Sequence, residues 1–384
     1  MNTEALISLI QSGETSFVQL KENVTNAVSI AQEMVAFCNS KGGKIIIGVN
    51  DKTGDITGLE FKDIQRINNL LTTAANEHIK SSIIIETETF DVNGKKVIVA
   101  TVPEGIDKPS MDKDGLIFVK NGSDKRKVTS KDELARLLQS SGNLYAEEKL
   151  IQHSSYSDLN WDKFQEFYVN KYSEEPDKSE VEKYINNFHL GKDSKLNIAG
   201  ALLFGKNVSK LLPQFFVSAV WFAGNDLAET VYRSSENITG TLYAQYRGAY
   251  DFIKTKINYI QGDRSFNSVG MPEIPLIVFQ EMLVNALVHR DYFINDSIKV
   301  FVFQNRIEIK SPGKLPNSLT VDDMKIGIRK SRNSTICSLA YDLLEYRGIG
   351  SGVVRSLKAY PNIELINNQS AEQFTVIIHR PENV

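Results

Sequence analysis

Three polar residues recur at four-residue spacing between Pro275 and His289: an acid, Glu281, an amide, Asn285, and an imidazole, His289. Leu276, Phe279, Leu283, Ala286 and Leu287 follow helical periodicity, so the spacing predicts a helix over 275–289 that turns an apolar stripe to a core and shows the three polar groups in a row on another face. Such a row offers a carboxylate, an amide and an imidazole together on one face of the helix. Further on, Gly348, Gly350 and Gly352 precede a helical stretch from about Val353. Free backbone N–H groups at such a start bind phosphate, although a helix-to-helix turn also asks for glycine. Near the amino terminus, Glu14 reads as a solvated or capping acid and Asp51 as a turn residue ahead of Gly54. Lys120, Lys125, Arg126, Lys127 and Lys131 lie within twelve residues around Asn121-Gly122-Ser123, a patch that can position phosphates without reading bases.

That patch matters because the whole chain does not attract polyanions. Its 384 residues carry 44 Lys or Arg against 47 Asp or Glu, a net charge of −3, and residues 1–140 alone hold 17 bases and 19 acids. A composition of 41% hydrophobic and 24% charged residues is that of ordinary globular protein with material for two or three cores. The sequence has no long uninterrupted apolar run, and Met1–Gly13 lacks the order of a signal peptide, so the expected location is the cytoplasm, away from membranes. Cys38 and Cys337 sit in apolar helical patterns and read as reduced core residues.

The elements that must position these groups alternate between helix and strand, which predicts a multidomain α/β (α+β) protein. Ala27 to Cys38 reads as a helix ended by Gly42-Gly43, followed by a buried strand over 44–49. Strands over 82–90 and 95–102 are joined through Asn93-Gly94, a hairpin signal, and 116–120 is a short strand. Ser130 and Glu133 form a capping box. The expected division is a mixed-sheet domain over 1–142, a polar linker over 143–160, a small mixed domain over 161–270 and an α/β sandwich over 271–384. In the third block, 161–184 and 239–260 read as helices and 196–204 and 215–222 as strands; in the fourth, strands cover 298–303, 306–310 and 373–379.

The stretch around Glu14 and Asn39-Ser-Lys-Gly-Gly43 with Gly48-Val-Asn-Asp51 resembles the AlbA-type domain of Schlafen proteins and of bacterial transcriptional regulators. The resemblance implies DNA or RNA binding. It also implies an alternative, a metal-dependent nuclease whose cation is held by Glu14 and Asp51; the second acid of the nuclease pattern is Gln19 here, which offers an oxygen but no charge. The run from Glu281 to His289, continuing to Arg-Asp-Tyr292, resembles the N-box of GHKL ATPases, and Ser311-Pro-Gly313, Ser331-Arg-Asn333 and the 348–352 glycines continue that likeness. It implies ATP and Mg²⁺ as ligands, with Asn285 on the metal and Glu281 as the base of a weak ATPase. His289, Gly313, Arg332, Asn333, Gly348, Gly350 and Gly352 are then nucleotide contacts. No Asp stands at the Ser311-Pro-Gly313 turn, where the family usually has one for adenine. The two likenesses together imply an ATP-modulated transcriptional regulator, with a homodimer implied because GHKL domains often pair; the other alternative is a scaffold with a decayed nucleotide site.

Overall fold

The computed structural model describes residues 1–141, 144–228, 230–261, 270–316, 319–344 and 351–381. The chain folds into two compact units, Met1–Leu144 and Tyr145–Val384. The expected boundary residue Gly142 lies outside the described residues.

The first unit runs α1 (Thr3–Gln11), β1 (Val18–Lys21), α2 (Ala27–Asn39), β2 (Gly43–Ile47), α3 (Phe61–Glu77), β3 (Glu86–Val92), β4 (Lys95–Val102), β5 (Phe118–Asn121), β6 (Asp124–Lys127) and α4 (Lys131–Ser140). Four strands form a mixed sheet in the order β1-β2-β4-β3, with β1 parallel to β2 and the other pairs antiparallel. Side chains alternate across a strand, so the apolar run of β2 feeds two cores: Ile45 and Ile47 pack with α2 and α3, and Ile46 packs with Leu6 and Ile10 of α1. β3 and β4 meet at Asn93-Gly94, both with positive φ. Ser130 precedes α4 without a side-chain cap, because Arg126 claims the Glu133 carboxylate, so the expected capping box does not form.

The second unit opens with α5 (Trp161–Tyr172), α6 (Val181–Asn187), β7 (Gly191–Lys192), β8 (Lys195–Leu196), α7 (Ile198–Phe204) and α8 (Val208–Leu211). It continues with β9 (Val217–Phe222), β10 (Tyr232–Ile238), α9 (Leu242–Lys254), β11 (Tyr259–Ile260), β12 (Met271–Pro272) and α10 (Leu276–Val288). The chain then runs through β13 (Ile298–Val302), β14 (Arg306–Pro312), α11 (Val321–Lys325), α12 (Ser334–Leu343), α13 (Ser351–Ala359), β15 (Ile363–Asn368) and β16 (Gln373–His379). Six strands make one sheet in the order β10-β9-β13-β14-β16-β15. Parallel pairing of β9 with β13, Val217 opposite Ile298, joins residues expected in separate domains, so 161–270 and 271–384 share one sheet and one core.

Other differences have local causes. Residues 198–204 are helical because the Asn197 side chain accepts the Gly200 N–H at 2.8 Å; all seven residues are buried, and an all-round apolar helix carries no period that distinguishes it from a buried strand. The 161–184 pattern is two helices, parted at Ser173, whose φ is +58°. The polar stretch 145–160 is packed against the second unit: Ala146, Glu147 and Leu159 are buried, and Glu147 accepts the backbone N–H groups of Thr335 and Ile336 at 2.8 Å each, capping α12.

Candidate functional site: an apolar cleft ringed by cations

α10 lies against β14, α9 and α13, and its polar row opens on a cleft of about 1000 Å³, counting solvent at the mouth. Glu281, Asn285 and His289 all line it. Ile309, Leu365, Phe374 and Val376 from the sheet, with Met282 and Met324 from helices, give the cleft an apolar wall fit for a planar aromatic group. Lys314, Arg329, Lys330, Arg332 and Arg355 ring it, and among the described residues that line it Glu281 is the one acid.

The polar groups are closely engaged. Glu281 is buried and its Oε1 pairs with an Arg355 Nη of α13. The first turn of α13 lies on this carboxylate: a Cβ added to Gly352 would stand 2.2 Å from Glu281 Oε2 and 3.6 Å from Asn285 Nδ2. Any side chain there would push the acid out. Asn285 Nδ2 and Arg355 Nε are both buried with no hydrogen-bond partner among the described residues. Two donors without acceptors flank one acid in a cation-rich cleft.

His289 is held neutral: burial first, then the charges of Arg332 and Arg329, push its pKa down to about 4. Asp291 is paired with Arg332, Nη1 to Oδ2 at 3.1 Å, with both side chains under a tenth exposed. Arg332 also donates to the Lys314 carbonyl oxygen. Gly313 sits in this corner at φ +107°, and a Cβ on it would stand 2.6 Å from Asp291 Cβ and 2.7 Å from Arg332 Nη1.

Asn333 is not among the cleft residues. Its fully buried Nδ2 donates to the Val288 and Arg290 carbonyls at 2.9 Å each and fixes the end of α10, so its assignment as a nucleotide contact is corrected to that of a clamp. Nor does its side chain cap α12, where Glu147 does so. Gly348 and Gly350 lie outside the described residues. Sequence reasoning missed Arg355 and Glu147. A base one turn after Gly352 was a usable signal for the first; nothing local marks the second.

The basic patch of the first unit is largely neutralised. The Lys120 side chain is 1% exposed: its Nζ donates to Gln19 Oε1 at 2.8 Å and to the Ser123 carbonyl oxygen, with Glu33 at 3.7 Å. Lys120 is therefore corrected from a surface phosphate contact to a buried structural cation. Lys125 pairs with Glu33 and Arg126 with Glu133, which leaves Lys127 and Lys131 as exposed members with no ion pair among the described residues. Glu14 accepts from the Leu20 N–H at 3.0 Å and from the Gln19 amide, while Asp51 is exposed in a turn. The Gln19 oxygen, set by sequence where a nuclease would offer a metal ligand, carries an ammonium. Among the described residues no group of three or more His, Cys, Asp or Glu could hold a metal ion.

These units define a class, a two-domain protein in which a mixed-sheet domain precedes an α/β layer carrying an N-box-like helix. Residues 14–129 match the family described as Schlafen, AlbA_2, and residues 295–378 match the one described as Putative ATP-dependent DNA helicase recG C-terminal. The chain thus carries a Schlafen AlbA_2 domain followed by an ATPase-type domain of the recG C-terminal family. The second match begins after α10, so Gly313, Arg332 and Gly352 fall inside it while Glu281, Asn285 and His289 do not.

The Uncharacterized ATP-binding protein UU034 of Ureaplasma parvum serovar 3 is 35% identical over 104 residues, 24% of this chain and 29% of that protein; the match spans under a third of the relative. The DIP2311 protein of Corynebacterium diphtheriae aligns over 98% of this chain and 79% of its own at 18% identity and a TM-score of 0.47. The N-terminal domain of a Putative ATP-dependent DNA Helicase RecG-related Protein from Nitrosomonas europaea aligns over 34% of this chain and 97% of its own, at 23% identity and a TM-score of 0.26. Among the described residues no helix is long and apolar enough to cross a membrane.

Proposed function

We propose that the second unit binds Mg-ATP in the α10 cleft and that occupancy sets the affinity of the AlbA_2 domain for DNA or RNA, the protein acting as an ATP-binding transcriptional regulator. The observation that carries this reading is the pair of buried donors, Asn285 Nδ2 and Arg355 Nε, that lack acceptors in a cleft with an apolar wall and a cationic rim. A triphosphate supplies acceptor oxygens and charge, and adenine fits the wall. Nitrogen and oxygen of an amide exchange places by a half-turn, so Asn285 can present oxygen to Mg²⁺ at the same position. Glu281 is the base candidate for slow hydrolysis. The family matches and the ATP-binding relative support the same ligand. The resemblance to GHKL domains extends the reading to a homodimer in the bacterial cytoplasm.

Ligand binding to the native state raises stability. Mg-ATP at about a hundred times its Kd should therefore stabilise the wild type by roughly 3 kcal/mol, and Asn285→Ala should remove most of the rise in melting temperature. An unchanged wild-type melting temperature at millimolar Mg-ATP defeats the reading.

The nucleic-acid half rests on Lys127 and Lys131, with Arg126 recruitable from Glu133. About three phosphate contacts predict a roughly 20-fold loss of affinity for single-stranded DNA or RNA between 50 and 200 mM salt. Filter binding across that range checks it, and salt-independent retention contradicts a local patch.

A further inference from the structure

We propose that Arg355 is a phosphate ligand of the cleft that Glu281 holds in reserve, so that a triphosphate binds by drawing the guanidinium away from the carboxylate. The inference rests on the nucleotide reading above and adds the residue that senses the phosphates. Arg355 lines the cleft from α13, about a third exposed, so it can swing outward, whereas Glu281 opposite is 10% exposed and cannot follow. Only one side of the guanidinium is used: an Nη meets Glu281, while Nε is buried without an acceptor. A guanidinium is satisfied by two oxygens in one plane, which the phosphates of a triphosphate present and which Glu281 does not supply here.

The contact also fixes α13. Gly352 lies against the same carboxylate, so the first turn of the helix, Glu281 and Asn285 form one packed corner. A triphosphate carries several charges against one on Glu281, so Arg355 passes to the phosphates and the acid is left beside Asn285. Adenosine, which has no phosphates, cannot make the exchange.

Calorimetric titration of the full chain with Mg-ATP and with adenosine tests this. Arg355→Met should weaken Mg-ATP roughly tenfold or more and leave adenosine unchanged. Glu281→Gln, which loosens the reserve, should tighten Mg-ATP by roughly threefold or more. The two variants thus move in opposite directions. If Arg355 is only a brace for α13, both weaken Mg-ATP and adenosine alike, and the proposal is overturned; wild-type affinity in Arg355→Met overturns it too. Should Arg355→Met not fold, Arg355→Lys replaces it, with a smaller loss confined to Mg-ATP expected. A wild type that binds no Mg-ATP removes the nucleotide reading and the proposal with it, an outcome distinct from binding that the variants leave unmoved.

Discussion

Arg332→Ala should destabilise the second unit by roughly 3–5 kcal/mol, the range for removing one partner of a buried ion pair. Arg332 and Asp291 are each under a tenth exposed, and burial alone pushes the guanidinium pKa down, which Asp291 opposes. Without Arg332 the carboxylate keeps, among the described residues, the Phe293 N–H, at 2.9 Å to Oδ1, in a corner under a tenth exposed. The loss spreads because the corner joins several segments: Asp291 N–H donates to the Pro312 carbonyl at 2.8 Å, Gly313 leaves no room for adjustment, and Arg332 also ties down Lys314. The double variant Arg332→Ala/Asp291→Ala should recover part of the loss, since it strands no charge. Urea unfolding of the wild type and these two variants checks both statements. A single-variant loss below about 1 kcal/mol would mean that water reaches Asp291 and that the corner is not closed.

Periodicity and turn chemistry were enough to place much of the local structure. α10 is the helix expected over 275–289 less one residue at each end, the Asn93-Gly94 turn joins β3 to β4, and 373–379 is β16 residue for residue. Four-residue spacing likewise puts Glu281, Asn285 and His289 on one face, and the structure sets all three along one cleft. A period identifies a face and says nothing of what packs against it. The parallel pairing of β9 with β13 spans some 80 residues and is invisible to any local window. The edge strands β10 and β15 went unread because their residues are mostly exposed or half-exposed and alternate weakly.

Charged residues were the least legible, because their meaning depends on a distant partner. Lys120 sits in a run that looks solvated, yet it is buried on Gln19, 101 residues away. Glu147 lies in a stretch that reads as linker, and its carboxylate finds α12 nearly 190 residues later. Arg332 and Asn333 are adjacent in sequence, but one completes the ion pair of the cleft corner and the other clamps the end of α10. Composition treats such residues as surface; burial with a partner makes them structural.

Glu147 and His289 should oppose each other as pH changes. Burial raises the Glu147 carboxyl to about 7 from its ordinary 4.5, despite the helix N–H groups that favour its charge. Between those values the folded protein binds more protons than the unfolded chain, so stability falls as pH rises from about 4.5 to about 7, by about 3 kcal/mol in all. His289 is the reverse: its pKa drops from 6.5 to about 4, the unfolded chain binds more protons between them, and stability rises with pH across that window by a similar amount. The two slopes overlap from pH 4.5 to 6.5 and nearly cancel. Glu147→Gln, whose amide oxygen still accepts from the start of α12, should expose the rising limb; His289→Gln should expose the falling one. The double variant should restore a nearly flat profile, offset by a constant. Cys337, which feels the Glu147 charge and lies 4.0 Å from His289, titrates only near 11 and leaves the window clear. Urea midpoints of the full chain at pH 4.5, 5.5, 6.5 and 7.5 read the slopes directly. Parallel profiles for all four proteins would show that neither group changes its protonation on unfolding.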